Sequence, residues 1–221
     1  MRRFRRSGGP VGNPANAAMA AVTVFALCSG VWLLRDGAVS HAPPQPSAAQ
    51  ARAGVDGRAG EPERAAAPAL PPSPPDRIRI PAIGVDAPLT GLALTRTGSL
   101  GVPPAERADL AGWYEAGTTP GERGTAIVAG HVDNADGPAV FHRLGALRKG
   151  GTIEVDRRDG SVAVFTVDAV EVYAARDFPD ERVYGAARRP ELRVITCGGG
   201  WSRATGYQGN VVVFAHLTGS R

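Results

Sequence analysis

Cysteine is nearly absent. Cys28 and Cys197 are the only two in 221 residues, which excludes a domain held together by a set of disulfides. Cys28 lies in an apolar N-terminal run, and if that run occupies a bilayer the two cannot pair within one folded molecule. Cys197 is then a lone thiol in what reads as an exported domain, a setting where cysteines are usually paired or avoided. Helical periods are also scarce and no internal repeat is found, which argues against a helix bundle and a solenoid. The net charge is only +4 and the pI about 9.6. Many of the arginines precede residue 70, outside any expected core, so the basic balance says little about nucleic acid, and no nucleic-acid partner is expected.

Arg2, Arg3, Arg5 and Arg6 are followed by an uncharged run from Ser7 to Leu34. Its apolar part, Ala15 to Leu34, has about the length of a bilayer-spanning helix. Residues 1–14 are expected to be a basic cytoplasmic N-terminus and residues 15–34 a single transmembrane anchor, with the remainder outside the cell. A cleaved signal peptide competes with this reading. The length of the run, Trp32 near its far end and the lack of a small-x-small site beyond Leu34 favour a retained anchor. Residues 35–75 are rich in Ala, Pro, Gly and Arg, with paired prolines at Pro43-Pro44, Pro71-Pro72 and Pro74-Pro75. Such a segment buries too little apolar surface to offset its ordering entropy, so a disordered tether is expected there. The folded domain is expected at residues 76–221.

From Asp76 onward short apolar runs recur between turn signals. Arg77-Ile78-Arg79-Ile80 alternates like a half-buried strand and Pro81 closes it. Further strands are predicted over Ala87 to Leu94, Thr125 to Ala129, Thr152 to Val155, Val162 to Tyr173, Leu192 to Thr196 and Val211 to Leu217. Spacing of this kind predicts an all-β fold, a closed or nearly closed barrel. Short helical connections are predicted at Ala139 to Leu147, after Gly137-Pro138, and at Asp180 to Tyr184.

Two reactive residues fall at predicted strand ends beside glycine. Cys197 follows Leu192-Arg193-Val194-Ile195-Thr196 and precedes Gly198-Gly199-Gly200, whose bare N–H groups are candidate oxyanion donors. His131 follows Thr125-Ala126-Ile127-Val128-Ala129-Gly130. Taken alone, Cys197 is equally readable as a buried structural thiol and His131 as a structural histidine; their parallel placement puts both at one barrel rim. A Cys/His pair carries out nucleophilic acyl chemistry, because the thiolate is the reactive form and the imidazole moves the proton. Arg203, six residues after Cys197, is the only arginine between Cys197 and the last predicted strand. His41, His142 and His216 are read as solvated or structural.

These residues resemble the sortases, membrane-anchored cysteine transpeptidases of Gram-positive bacteria. The resemblance is carried by Ile78-Arg79-Ile80-Pro81-Ala82-Ile83-Gly84-Val85-Asp86-Ala87-Pro88, Ala129-Gly130-His131-Val132-Asp133, Gly137-Pro138-Ala139-Val140-Phe141, Val194-Ile195-Thr196-Cys197 and Asn210-Val211-Val212-Val213-Phe214-Ala215. It is closest to actinobacterial class F, with class E also similar. It implies an eight-stranded sortase-type barrel preceded by a single transmembrane helix, with Cys197 as nucleophile, His131 as general acid/base and an arginine as third partner. The family's arginine position just before the last strand is held by Asn210, which moves the expectation to Arg203. Thr196 and Ala129 are the expected substrate contacts beside the reactive pair, and Phe178 and Val183 those in the connection from Ala174 to Pro190. The implied activity is cleavage of a sorting signal resembling Leu-Pro-x-Thr-Gly between Thr and Gly, through a thioester, and transfer to an amine of a cell-wall precursor or a pilin. The partners implied are secreted proteins bearing that signal, the amine, and the membrane. The family's acidic calcium-binding cluster is not evident, so no metal and no cofactor is expected. Another cysteine enzyme of the cell wall and a non-catalytic wall-binding module are the competing readings.

Overall fold

The computed structural model describes residues 42–51 and 67–221. The expected membrane anchor at residues 15–34 lies outside them, and among the described residues no helix is long and apolar enough to cross a membrane. Ten strands follow in chain order: β1 (Pro75–Ile80), β2 (Val85–Leu92), β3 (Ala111–Tyr114), β4 (Gly124–Gly130), β5 (Asp133–Asn134), β6 (Gly137–Pro138), β7 (Thr152–Arg157), β8 (Val162–Ala174), β9 (Pro190–Ser202) and β10 (Gly206–Ser220). Eight of them close a barrel in the order β1-β2-β3-β4-β9-β10-β8-β7, with β7 returning to β1. The short β5 and β6 pair only with each other. Two barrel contacts, β2 with β3 and β4 with β9, are parallel; the others are antiparallel.

Side chains alternate between the two faces of a strand, and the burial follows this closely. Val128, Val194 and Val213 join residues of every barrel strand in the interior core. Their neighbours Ile127, Ile195, Val212 and Phe214 form a second apolar cluster on the outer face. That cluster is roofed by Val183 and Phe178 from the β8–β9 connection. Burial on both faces explains why β4 reads as a nearly continuous apolar run rather than an alternating one.

The expected eight-stranded barrel is therefore present, with three local differences. β3 had no counterpart among the predicted strands: Gly112 and the turn residues on either side hide a four-residue strand whose Ala111 and Trp113 are buried. Residues 139–147 form no α-helix. Their amides bond three residues back, Leu144 to Phe141 and Leu147 to Leu144, so that Phe141, Leu144 and Leu147, all buried, fall on one side of a three-residue winding. The helix at Asp180–Tyr184, here α1, has the predicted bounds.

The folded unit also begins before Asp76. The Leu70 amide donates to the Gly121 carbonyl at 2.8 Å and the Ala67 amide to that of Leu217 at 3.1 Å. The buried Arg157 guanidinium donates to the Pro71 carbonyl and to Ser161 Oγ. Prolines here need no donor partner, so composition alone concealed a docked segment. Residues 43–51 also lie on the barrel. Lys149 N–H donates to Gln50 Oε1 at 2.9 Å, and Pro44 O sits where a Cβ on Gly145 would come within 2.0 Å.

A chain shortened to start at Asp76 is expected to be about 2–4 kcal/mol less stable than one starting at Ala67, because Arg157 loses the Pro71 carbonyl and Leu70 its packing. Urea unfolding of the two fragments measures this, and equal stabilities would restore the boundary to Asp76.

Candidate active site

The site is built on the parallel contact between β4 and β9. Ala129 pairs with Ile195 there, and each registered pair keeps the same separation in sequence. The next step is held by a side chain: Thr196 Oγ1, buried, donates to the Gly130 carbonyl at 2.8 Å. Continued past the end of β4, the same register would bring His131 beside Cys197. Ile127 and Ile195 belong to the outer cluster, so by alternation Ala129, His131 and Cys197 share that outer face.

Each reactive group has a defined setting. His131 Nε2 lies 2.7 Å from the Pro103 carbonyl. A carbonyl only accepts, so Nε2 carries the hydrogen and Nδ1 is the ring nitrogen left to exchange a proton. Asn134 Nδ2, donating to the Ala105 carbonyl at 2.9 Å, ties the same 93–110 connection to the segment after His131. Cys197 is a free thiol on an exposed residue. The protein atoms crowding its sulfur, and then the Asp133 carboxylate, push the thiol above its ordinary value, so it keeps its proton at neutral pH in the resting protein.

Asp133 also accepts the Tyr207 hydroxyl hydrogen at 2.5 Å. Burial, that hydrogen bond, the Asp133 charge and the proximity of Cys197 all hold the Tyr207 phenol far above the usual range. Tyr207 and Asp133 therefore stand within electrostatic reach of the sulfur. Neither was singled out from sequence, although Asp133 belongs to the Ala129–Asp133 motif.

The strand does not end at Thr196, where the sequence pattern placed its end. β9 continues to Ser202 as one arm of a hairpin, with Cys197 opposite Asn210, Trp201 opposite Tyr207 and Ser202 opposite Gly206. Gly199 has φ 76°, the left-handed region that favours glycine, and its N–H donates to Gln45 Oε1 at 3.2 Å. Arg203 is exposed in the turn that closes this hairpin. Five residue steps along β9 lead from Cys197 to Ser202, a rise of about 16 Å, so the backbone carries Arg203 away from Cys197. Asn210 holds the place opposite Cys197.

The remaining expected contacts divide in the same way. Ala129 lies on the outer face between Ile127 and His131. Thr196 turns inward and secures the register. Val183 is wholly buried under the β8–β9 connection, whereas Phe178 packs edge-on to Tyr173, with ring centroids 5.9 Å apart, and against Tyr184. Arg182 pins this connection down, pairing with Glu171 at 2.8 Å and lying over the Tyr173 and Phe214 rings. Between it and β3 and β4 is a cavity of about 620 Å³ lined by Leu94, Leu100, Tyr114, Ile127, Asp180 and Tyr184. These residues come from four separate stretches of chain, which is why no sequence pattern announced them.

A β-barrel that presents a thiol and an imidazole from neighbouring parallel strands, with a groove on the same face, has the layout of a cysteine acyl-transfer enzyme. The sequence pattern of the Sortase domain matches residues 78–218, and the chain belongs to the sortase family of cysteine transpeptidases. No curated protein matches the sequence. Among solved structures the fold is similar to the SrtA sortase from Actinomyces oris, with 20% identity and a TM-score of 0.51 over 71% of this chain and 88% of that one. It is also similar to sortase A from Corynebacterium diphtheriae, at 20% identity and TM-score 0.51 over 67% and 62% of the two chains. A Streptococcus agalactiae sortase C1 in complex with MTSET gives 18%, 0.51, 66% and 70% on the same measures.

Asp133 raises the Cys197 thiol, so Asp133→Asn is expected to lower it. Iodoacetamide alkylation of Cys197 then shifts to lower pH and speeds up at neutral pH. An unmoved pH profile would show that the carboxylate does not act on the sulfur.

Proposed function

We propose that the chain is a cell-surface transpeptidase that cleaves a Leu-Pro-x-Thr-Gly-like sorting signal between Thr and Gly and transfers the acyl part to an amine of a cell-wall precursor or a pilin. The observation that supports this reading is the β4–β9 register, whose continuation past Ala129 and Ile195 brings His131 towards Cys197 on the face that carries the groove. The signal peptide would lie along the groove walled by Leu94, Leu100, Tyr114, Ile127 and Tyr184. Residues 15–34 would hold the enzyme at the membrane, with the barrel outside.

In the first half-reaction His131 Nδ1 takes the thiol proton and the Cys197 sulfur attacks the Thr carbonyl carbon. The raised thiol makes this transfer part of substrate engagement rather than of the resting state. Collapse of the tetrahedral adduct breaks the Thr–Gly bond, and the imidazolium gives its proton to the departing Gly nitrogen. A thioester on Cys197 and a neutral His131 remain. The first step is assigned to these two residues.

Incubation of the full chain with a panel of sorting peptides is expected to add the mass of the peptide up to Thr to the protein, read by intact-mass spectrometry. Cys197→Ala abolishes the adduct. His131→Ala lowers its rate by several orders of magnitude, because nucleophile and base act as a unit. Both variants should keep the wild-type circular dichroism. Formation of the adduct at the wild-type rate in either variant would remove that residue from the mechanism, and its absence from the wild type with every peptide would end the transpeptidase reading.

A further inference from the structure

Asp133 has no use in the first half-reaction and works against it. A carboxylate beside the nucleophile disfavours the thiolate, and Asp133 raises the Cys197 thiol. Yet it is held in place: the Tyr207 hydroxyl donates to Oδ2, while among the described residues no cationic side chain pairs with it. Asp133 is only partly buried. The result is a fixed, uncompensated negative charge next to the reacting sulfur. Such a charge suits a step in which a cation must arrive there.

The surroundings fit that cation. Tyr207 lies opposite Trp201 on the β9–β10 hairpin, and Trp201 is 59% exposed. Aromatic faces together with a carboxylate are the usual receptors of an alkylammonium. The position fits as well. β4 and β9 run in the same direction; the groove residue Ile127 precedes the His131–Cys197 pair along them, whereas Asp133, Trp201 and Tyr207 follow it. The acyl chain and the carboxylate with its two rings therefore lie on opposite sides of the thioester.

We propose that Asp133, held by Tyr207, whose partner across the hairpin is the exposed Trp201, is the binding site for the acceptor, a primary alkylammonium. This rests on the transpeptidase reading and names the residues that receive its second substrate. Asp133 draws the ammonium to the thioester. Neutral His131 then takes one proton from it, and the freed nitrogen lone pair attacks the thioester carbon. A C–N bond forms, the C–S bond breaks with its electron pair going to sulfur, the proton on His131 passes to the thiolate, and the second proton shed by the new amide nitrogen is released to solvent. Asp133 and Tyr207 are positioning groups throughout.

The test uses the full chain, a sorting peptide, and two nucleophiles in competition with water: Nα-acetyl-lysinamide, an ammonium at neutral pH, and hydroxylamine, which is uncharged there. In Asp133→Asn the half-saturating concentration of the lysine amide is expected to rise about tenfold, the worth of one charge-assisted contact. That of hydroxylamine does not follow it. Tyr207→Phe, which keeps the carboxylate but frees it, gives a smaller rise in the same direction and keeps the question answerable if Asp133→Asn folds poorly. Added salt weakens capture of the lysine amide by the wild type more than capture of hydroxylamine. Equal shifts for both nucleophiles, or no shift for the lysine amide, would overturn the acceptor site while the acyl-enzyme itself still formed. If no acyl-enzyme formed in the wild type with any peptide, the transpeptidase reading would fall, and the acceptor site with it.

Discussion

The parallel contact between β4 and β9 is the constraint on which the site depends. A hairpin fixes its own register through its turn, but parallel strands joined by a long excursion have no such device. Here the register is set by burial on two faces at once. Val128 and Val194 point into the barrel while Ile127 and Ile195 point under the β8–β9 connection. A slip of one residue would exchange these sets and send Cys197 inward to where Thr196 now bonds Gly130. The facing of thiol and imidazole is thus a by-product of core packing, and needs no contact between the two side chains to maintain it.

The electrostatics around Cys197 are arranged for restraint. An exposed thiol is open to oxidation, and the thiolate is the vulnerable form. Crowding and the Asp133 carboxylate keep the proton on sulfur, and Pro103 fixes the His131 ring so that only Nδ1 is free to take it.

The architecture was legible in the sequence wherever the cause was local. Apolar runs between turns gave the barrel strands, and Asp180–Tyr184 its helix, because each depends on its own residues. What was not legible depended on partners distant in the chain. Arg203 was placed near Cys197 by counting six residues, but Trp201 and Ser202 pair with Tyr207 and Gly206, so the chain stays extended and carries the guanidinium away. Val183 looked like a groove residue and is roof timber, since α1 turns it onto Val212 and Phe214. Leu94, Leu100, Tyr114 and Ile127 meet only because the sheet curves. The docking of residues 67–75 escaped a composition argument because its contacts are made by backbone carbonyls and amides, which composition does not count.

The β8–β9 connection covers the outer face without lending a strand to the barrel. The strands at its two ends are held independently, β8 by β7 and β10, β9 by β4 and β10. Its residues can therefore be replaced without disturbing the spacing of Cys197 and His131, provided that the replacements still bury Ile127 and Ile195. Bond-making and choice of substrate reside in separable parts of one small barrel. A lineage, or an engineer, is free to exchange the roof over the groove and inherit the chemistry beneath it intact.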